Sequence, residues 1–96
     1  MQEKQNNRSL TILITALNEE RLIELTVVEI LKVSRETLDQ YEIILVNDGS
    51  QDKTGIIMDQ LETQNQEIIV ESVDYNNCID IFIICKKPKI NYIFKL

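Results

Sequence analysis

Ninety-six residues can bury one modest core, so the chain holds one domain at most, near the lower end of the sizes at which burial offsets chain entropy. A formal charge of −6 and a pI near 4.5 exclude a nucleic-acid backbone as partner, since that calls for a basic face. Cys78 and Cys85 have neither a C-x-x-C spacing nor any His to complete a metal site, and read as buried free thiols.

In chain order, residues 1–9 are polar and include Glu3, which fits neither a signal nor a transit peptide. No apolar run reaches bilayer length, so a cytoplasmic setting is expected. Residues 10–15, LTILIT, read as a strand, followed by a polar switch at Asn18 and by Glu19 and Glu20 at a helix start. Asn18 suits an N-cap, and the two acids suit the helix dipole. Ile23, Val27, Ile30 and Leu31 recur at helical spacing, with Leu22, Leu25 and Val28 widening the stripe. That predicts a helix from Glu19 to about Arg35.

A short polar connection leads to Tyr41 and to Ile43, Ile44, Leu45 and Val46, a buried strand of the parallel type. Asn47 and Asp48 lie at its carboxyl end, Gly49 permits a tight turn, and Ser50 can cap a second helix. In that helix Ile57 and Leu61 are one turn apart, and Ile56 and Met58 broaden the face. Residues 67–73 read as a third strand. The order β-α-β-α-β with right-handed crossovers predicts an α/β fold, a Rossmann-like parallel sheet with helices on its faces.

Composition then changes. Residues 1–74 carry 15 acidic and 6 basic residues, a net of −9, whereas residues 75–96 carry one acid and four lysines, a net of +3. The tail is rich in Ile, Lys, Asn, Phe and Tyr, residues of AT-rich codons. Two readings stand side by side: a divergent tail translated out of frame, or a lysine-rich edge strand over residues 79–85.

In a parallel sheet the carboxyl ends of neighbouring strands face one crevice, so residues 15–19 and 47–52 should converge there. Asp48 can accept hydrogen bonds from a base N–H or from ribose hydroxyls. The backbone N–H groups that open the helix after Ser50 can favour an anion. With Gly49 and Gly55 alone there is neither a G-x-G-x-x-G turn nor a P-loop, which excludes dehydrogenase and NTPase readings. The lack of His removes the usual general base, and no Ser sits in a nucleophile elbow.

TILITALNEE followed by YEIILVNDGSQDKT resembles the amino-terminal half of family-2 glycosyltransferases, inverting nucleotide-sugar-dependent enzymes with a GT-A fold. The resemblance covers roughly residues 9–63 and makes residues 1–74 the nucleotide-sugar-binding half of an incomplete, truncated GT-A domain. It implies that Thr15, Leu17 and Glu19 line the nucleotide pocket, that Asp48 binds the base or ribose of a UDP- or GDP-sugar, and that Gly49 and Ser50 shape the turn beside them. Thr15 stands where Pro is common, and Leu17 where an aromatic often stacks on the base. Asn47 replaces the first Asp of the usual pair, a variant similar to the branch that makes polyprenyl-phosphate sugars; the implied acceptor is a polyprenyl phosphate or a polysaccharide.

The complete family enzyme is expected to use a divalent metal, Mg or Mn, held by an Asp-x-Asp, and a later acid as base. No two Asp in this chain are two apart, so the chain supports no metal site and no catalytic residue, and negligible sugar transfer is expected from it alone. The complete enzyme could still associate with a membrane. The competing reading is a small non-catalytic α/β nucleotide-binding or receiver-like signalling module, with Asp48 as phosphoacceptor.

Overall fold

A computed structural model describes residues 9–73 and 90–96. They form β1 (Ser9–Ala16), α1 (Ile23–Thr37), β2 (Gln40–Asp48), α2 (Thr54–Gln64), β3 (Ile68–Val73) and β4 (Ile90–Lys95). The strands make one parallel sheet in the order β3-β2-β1-β4. The expected Rossmann-like α/β architecture is therefore present, with β1 inside the sheet and the strand order reversing between β1 and β4. Cys78, Cys85 and the edge strand expected over residues 79–85 lie outside the described residues.

The apolar runs of β1 and β2 explain the centre of the sheet. On one face Ile12, Ile14, Ala16, Ile43, Leu45 and Ile68 pack with Ile23, Val27 and Leu31 of α1 and Met58 and Leu61 of α2. On the other face Leu13, Ile44 and Val46 are buried as well, as continuous rather than alternating apolar runs require. Thr11 and Thr15 share that second face and are also buried.

Sequence analysis did not foresee β4. Its Tyr92, Ile93 and Phe94 pair with Ile12, Leu13 and Ile14, and a bulge next to Thr11 throws Asn91 out of the ladder. The Asn91 side chain repairs the break, its Oδ1 accepting the Thr11 N–H at 2.9 Å.

Both helices start later than their sequence signals. α1 begins at Ile23, not Glu19, because Asn18 takes a left-handed φ of 54°. A turn over residues 19–22 follows, in which the Glu19 carbonyl accepts both the Leu22 and Ile23 N–H groups. Asn18 is thus not the N-cap; Leu22 holds that position without a side-chain cap. The buried face of α1 is Ile23, Val27, Leu31 and Ser34, a narrower stripe than expected, and Leu22, Leu25 and Val28 lie in solvent. In α2 the buried positions are Thr54, Met58 and Leu61, while Ile56 is 59% exposed. Ile57 packs against the core from partly buried ground, as expected, whereas Thr54 rather than Ile56 joins Met58 and Leu61 as a buried position.

Candidate functional site

The two loops at the carboxyl ends of β1 and β2 are tied together by hydrogen bonds that run in both directions. The Asn18 N–H donates to Ser50 Oγ at 2.9 Å, and the Gln51 N–H donates to Asn18 Oδ1 at 2.8 Å. One residue on, the Glu19 N–H donates to Thr54 Oγ1 at 2.8 Å. The Glu20 N–H reaches Asp52 Oδ2 at 3.3 Å, and the Lys53 N–H donates to Glu20 Oε1 at 2.9 Å. Five inter-loop bonds thus each pair a backbone N–H with a side-chain oxygen.

Thr54, fully buried, is the centre of this lacing. While it accepts from Glu19, its hydroxyl and its own N–H both donate to Asp52 Oδ1. That relay polarises each bond in turn. The Thr54 hydroxyl is also the main reason that the Asp52 carboxyl is held below its ordinary range.

These bonds correct two expectations. Ser50 does not cap α2, whose N-cap is Lys53 and lacks a side-chain cap bond; its hydroxyl instead receives the Asn18 N–H. Nor do the amides before α2 form an anion cradle. The N–H groups of Ser50, Gln51, Lys53 and Thr54 already donate to Asn47, Asn18, Glu20 and Asp52 respectively. An anion there would have to displace four side-chain oxygens.

The adjacent residues Asn47 and Asp48 point to opposite faces. Alternation along β2 places Asn47 with Ile43 and Leu45 on the helix side, and Asp48 with Ile44 and Val46 on the other. Asn47 Oδ1 accepts the Ser50 N–H at 2.9 Å, and Asn47 Nδ2 lies 2.7 Å from where a Cβ on Gly55 would sit. Gly55 therefore leaves the room that Asn47 fills. Facing α2, Asn47 is turned away from the face where Asp48 lies.

Asp48 is different in kind. Its Oδ1 is buried and has no hydrogen-bond partner among the described residues. An unsatisfied buried carboxylate oxygen is costly and calls for a donor. Gly49 follows with φ 81°, a conformation that a side chain would strain, and turns the chain towards Ser50.

Of the other residues expected at the site, Thr15 shares the face of Asp48, lies beside Val46 and Lys95 in the sheet, and accepts the Leu96 N–H on its carbonyl at 2.9 Å. Leu17 is half-buried just past β1, and Glu19 half-buried in the turn, its backbone held by Thr54. The sequence places Glu20 and Asp52 at the loops without the bond between them; it does not point to Thr54, to the room left by Gly55 or to β4. Counting alternation onward from Ile43 and Leu45 would have separated Asn47 from Asp48; no sequence signal marks Thr54. Among the described residues, no group of three or more His, Cys, Asp or Glu could hold a metal ion.

A parallel sheet whose order reverses beside β1, with both described helices on one face rather than on the two faces expected and with polar loops at its carboxyl end, defines a Rossmann-like α/β protein. Residues 11–78 match the family model described as glycosyl transferase family 2, and the chain belongs to that family. No curated protein matches the sequence. The receiver-like reading falls, because the receiver order 2-1-3 would set β3 beside β1, whereas here it pairs with β2. No described helix is long and apolar enough to cross a membrane.

Proposed function

We propose that residues 1–74 form the donor-binding half of a glycosyltransferase that takes a nucleoside diphosphate sugar, UDP- or GDP-linked, and transfers the sugar with inversion. The observation that carries this reading is the orphaned, buried Oδ1 of Asp48 at the carboxyl end of β2. A base N–H or a ribose hydroxyl supplies the missing donor. Thr15, on the same face, and Leu17 and Glu19, beyond the end of β1, line the space beside it, and Gly49 and Ser50 shape its wall. With the amides before α2 already engaged, this chain's part is recognition of the nucleoside rather than of its phosphates.

In the complete enzyme a divalent cation supplies charge neutralisation at the diphosphate, and the acceptor is a polyprenyl phosphate or a polysaccharide. We assign the protein to the cytoplasm, where nucleotide sugars are made, and no catalytic residue to this chain.

Titration calorimetry of the 96-residue chain with uridine and guanosine diphosphates tests the reading. One of them binds wild type, and Asp48→Ala weakens it by about tenfold or more, the loss of one charge-assisted hydrogen bond. Equal affinity for wild type and variant would sink it.

A further inference from the structure

Asn18 carries the most unusual backbone among the described residues, the single non-glycine residue with positive φ, at 54°. It is exposed, so packing does not impose that conformation. What accompanies it is a two-point contact with the opposite loop: its N–H on Ser50 Oγ at 2.9 Å and its Oδ1 under the Gln51 N–H at 2.8 Å. Asn adopts the left-handed region more readily than most residues, so one residue type meets both demands.

The contact falls at a mechanically decisive place. Gly49, at φ 81°, is the swivel between Asp48 and Ser50. In the two residues that follow the swivel the chain is anchored at three points, ahead of the ties that Asp52, Lys53 and Thr54 make further on: the Ser50 N–H by Asn47, the Ser50 hydroxyl by Asn18, and the Gln51 N–H by Asn18 again. Two of the three belong to Asn18. We propose that Asn18 is a positioning residue, which locks the Asp48–Gly49–Ser50 turn against the β1–α1 loop so that the Asp48 carboxylate is presented to the nucleoside in one geometry. This rests on the donor-binding reading above. Asn18 acts through the turn, its side-chain oxygen spent on Gln51, rather than through a contact of its amide nitrogen with the ligand.

Two substitutions separate the alternatives. Asn18→Gly keeps the left-handed backbone and the N–H but removes the acceptor for Gln51. Asn18→Asp keeps an acceptor and tolerates the same φ, and is measured at raised salt to screen the new charge from Glu19, Glu20, Asp48 and Asp52. Uridine and guanosine diphosphates are titrated against wild type, both variants and Asp48→Ala, with amide exchange at Gln51 followed by NMR. The expected result is about tenfold weaker binding and faster Gln51 exchange in Asn18→Gly, both largely restored in Asn18→Asp, with melting temperatures within about 4 °C of wild type.

If Asp48→Ala loses affinity while Asn18→Gly binds like wild type, the positioning role is overturned and the donor site stands. If both Asn18 variants lose binding alike, the side-chain amide nitrogen contacts the ligand and positioning is again overturned. If wild type and Asp48→Ala bind equally, it is the donor-binding reading that fails.

Discussion

The two ends of the sheet hold their loops together by different means. At the amino end of β2 and β3, beyond the backbone bonds of Ile43 N–H to the Glu67 carbonyl and Ile68 N–H to the Asn65 carbonyl, the side chains tie to one another: Tyr41 Oη donates to Glu67 Oε2 at 3.1 Å, Arg35 Nη2 to Asn65 Oδ1 at 2.8 Å, and Arg35 pairs with Glu67 at 3.7 Å. Arg35 is half in water, with 52% of its side chain accessible, so the cluster joins α1, α2 and β3 only lightly. At the carboxyl end every inter-loop tie has a backbone N–H on one side, and the buried Thr54 hydroxyl serves as both acceptor and donor. Side-chain pairs at an exposed edge can break singly without moving the chain. Backbone lacing fixes where the chain goes, and it is found at the end that carries the orphaned Asp48 oxygen.

The contrast is broken most directly at Thr54. Thr54→Val keeps the shape and removes the hydroxyl, leaving the Glu19 N–H without its acceptor; a loss of about 1–3 kcal/mol is expected in urea denaturation. A loss under about 0.5 kcal/mol would show the lacing to be dispensable.

Acid sharpens the comparison next. Asp52 is held below its ordinary range chiefly by Thr54, and Glu67 chiefly by its own backbone N–H, with Tyr41 and Arg35 adding to it. Folded pKa values below the unfolded ones mean stability that is present above the ordinary carboxyl range and lost as pH falls through the folded values. Melting temperature should therefore fall in acid, and Thr54→Val should flatten that fall because it removes the main cause of the Asp52 shift. Tyr41 behaves in the opposite sense. Burial first, then Glu67, raises its pKa above 10.0, so its contribution is whole below that value and is lost as pH rises through the folded pKa.

Tyr41→Phe should cost less than Thr54→Val, about 0.5–1 kcal/mol, since the bond it removes lies partly in solvent. A cost equal to that of Thr54→Val would erase the distinction between the two ends. The smallest effect on stability is expected for Gly55→Ala. A helix gains up to about 1 kcal/mol from that change, but the new Cβ would lie 2.7 Å from Asn47 Nδ2 and must push it aside. The two terms nearly cancel in melting temperature, while the Ser50 amide, which depends on Asn47 Oδ1, should exchange faster.

Much of the fold was legible because its signals are local. The runs at residues 10–15 and 43–46 are short, rich in β-branched residues and buried throughout residues 11–15 and 43–46, and the polar residues that follow them mark the strand ends. The family resemblance was carried by those same residues, and the family match begins inside β1. Less legible was the angular placement of side chains. Leu22, Leu25 and Val28 were read as core and are exposed, because which face of α1 turns inward depends on how Asn18 and residues 19–22 deliver the chain to the sheet.

The sequence by itself determined the parallel α/β order, the positions of the strand ends and Asp48 as the acid at the end of β2, since each follows from periodicity and residue type within a short window. Tertiary structure alone decided that β4 joins the sheet beside β1, that Ser50 ties rather than caps, and that Thr54 is buried where Ile56 is exposed. Each of these depends on partners about thirty or more residues away, and no window of sequence contains the geometry that brings an N–H of one loop to an oxygen of the other.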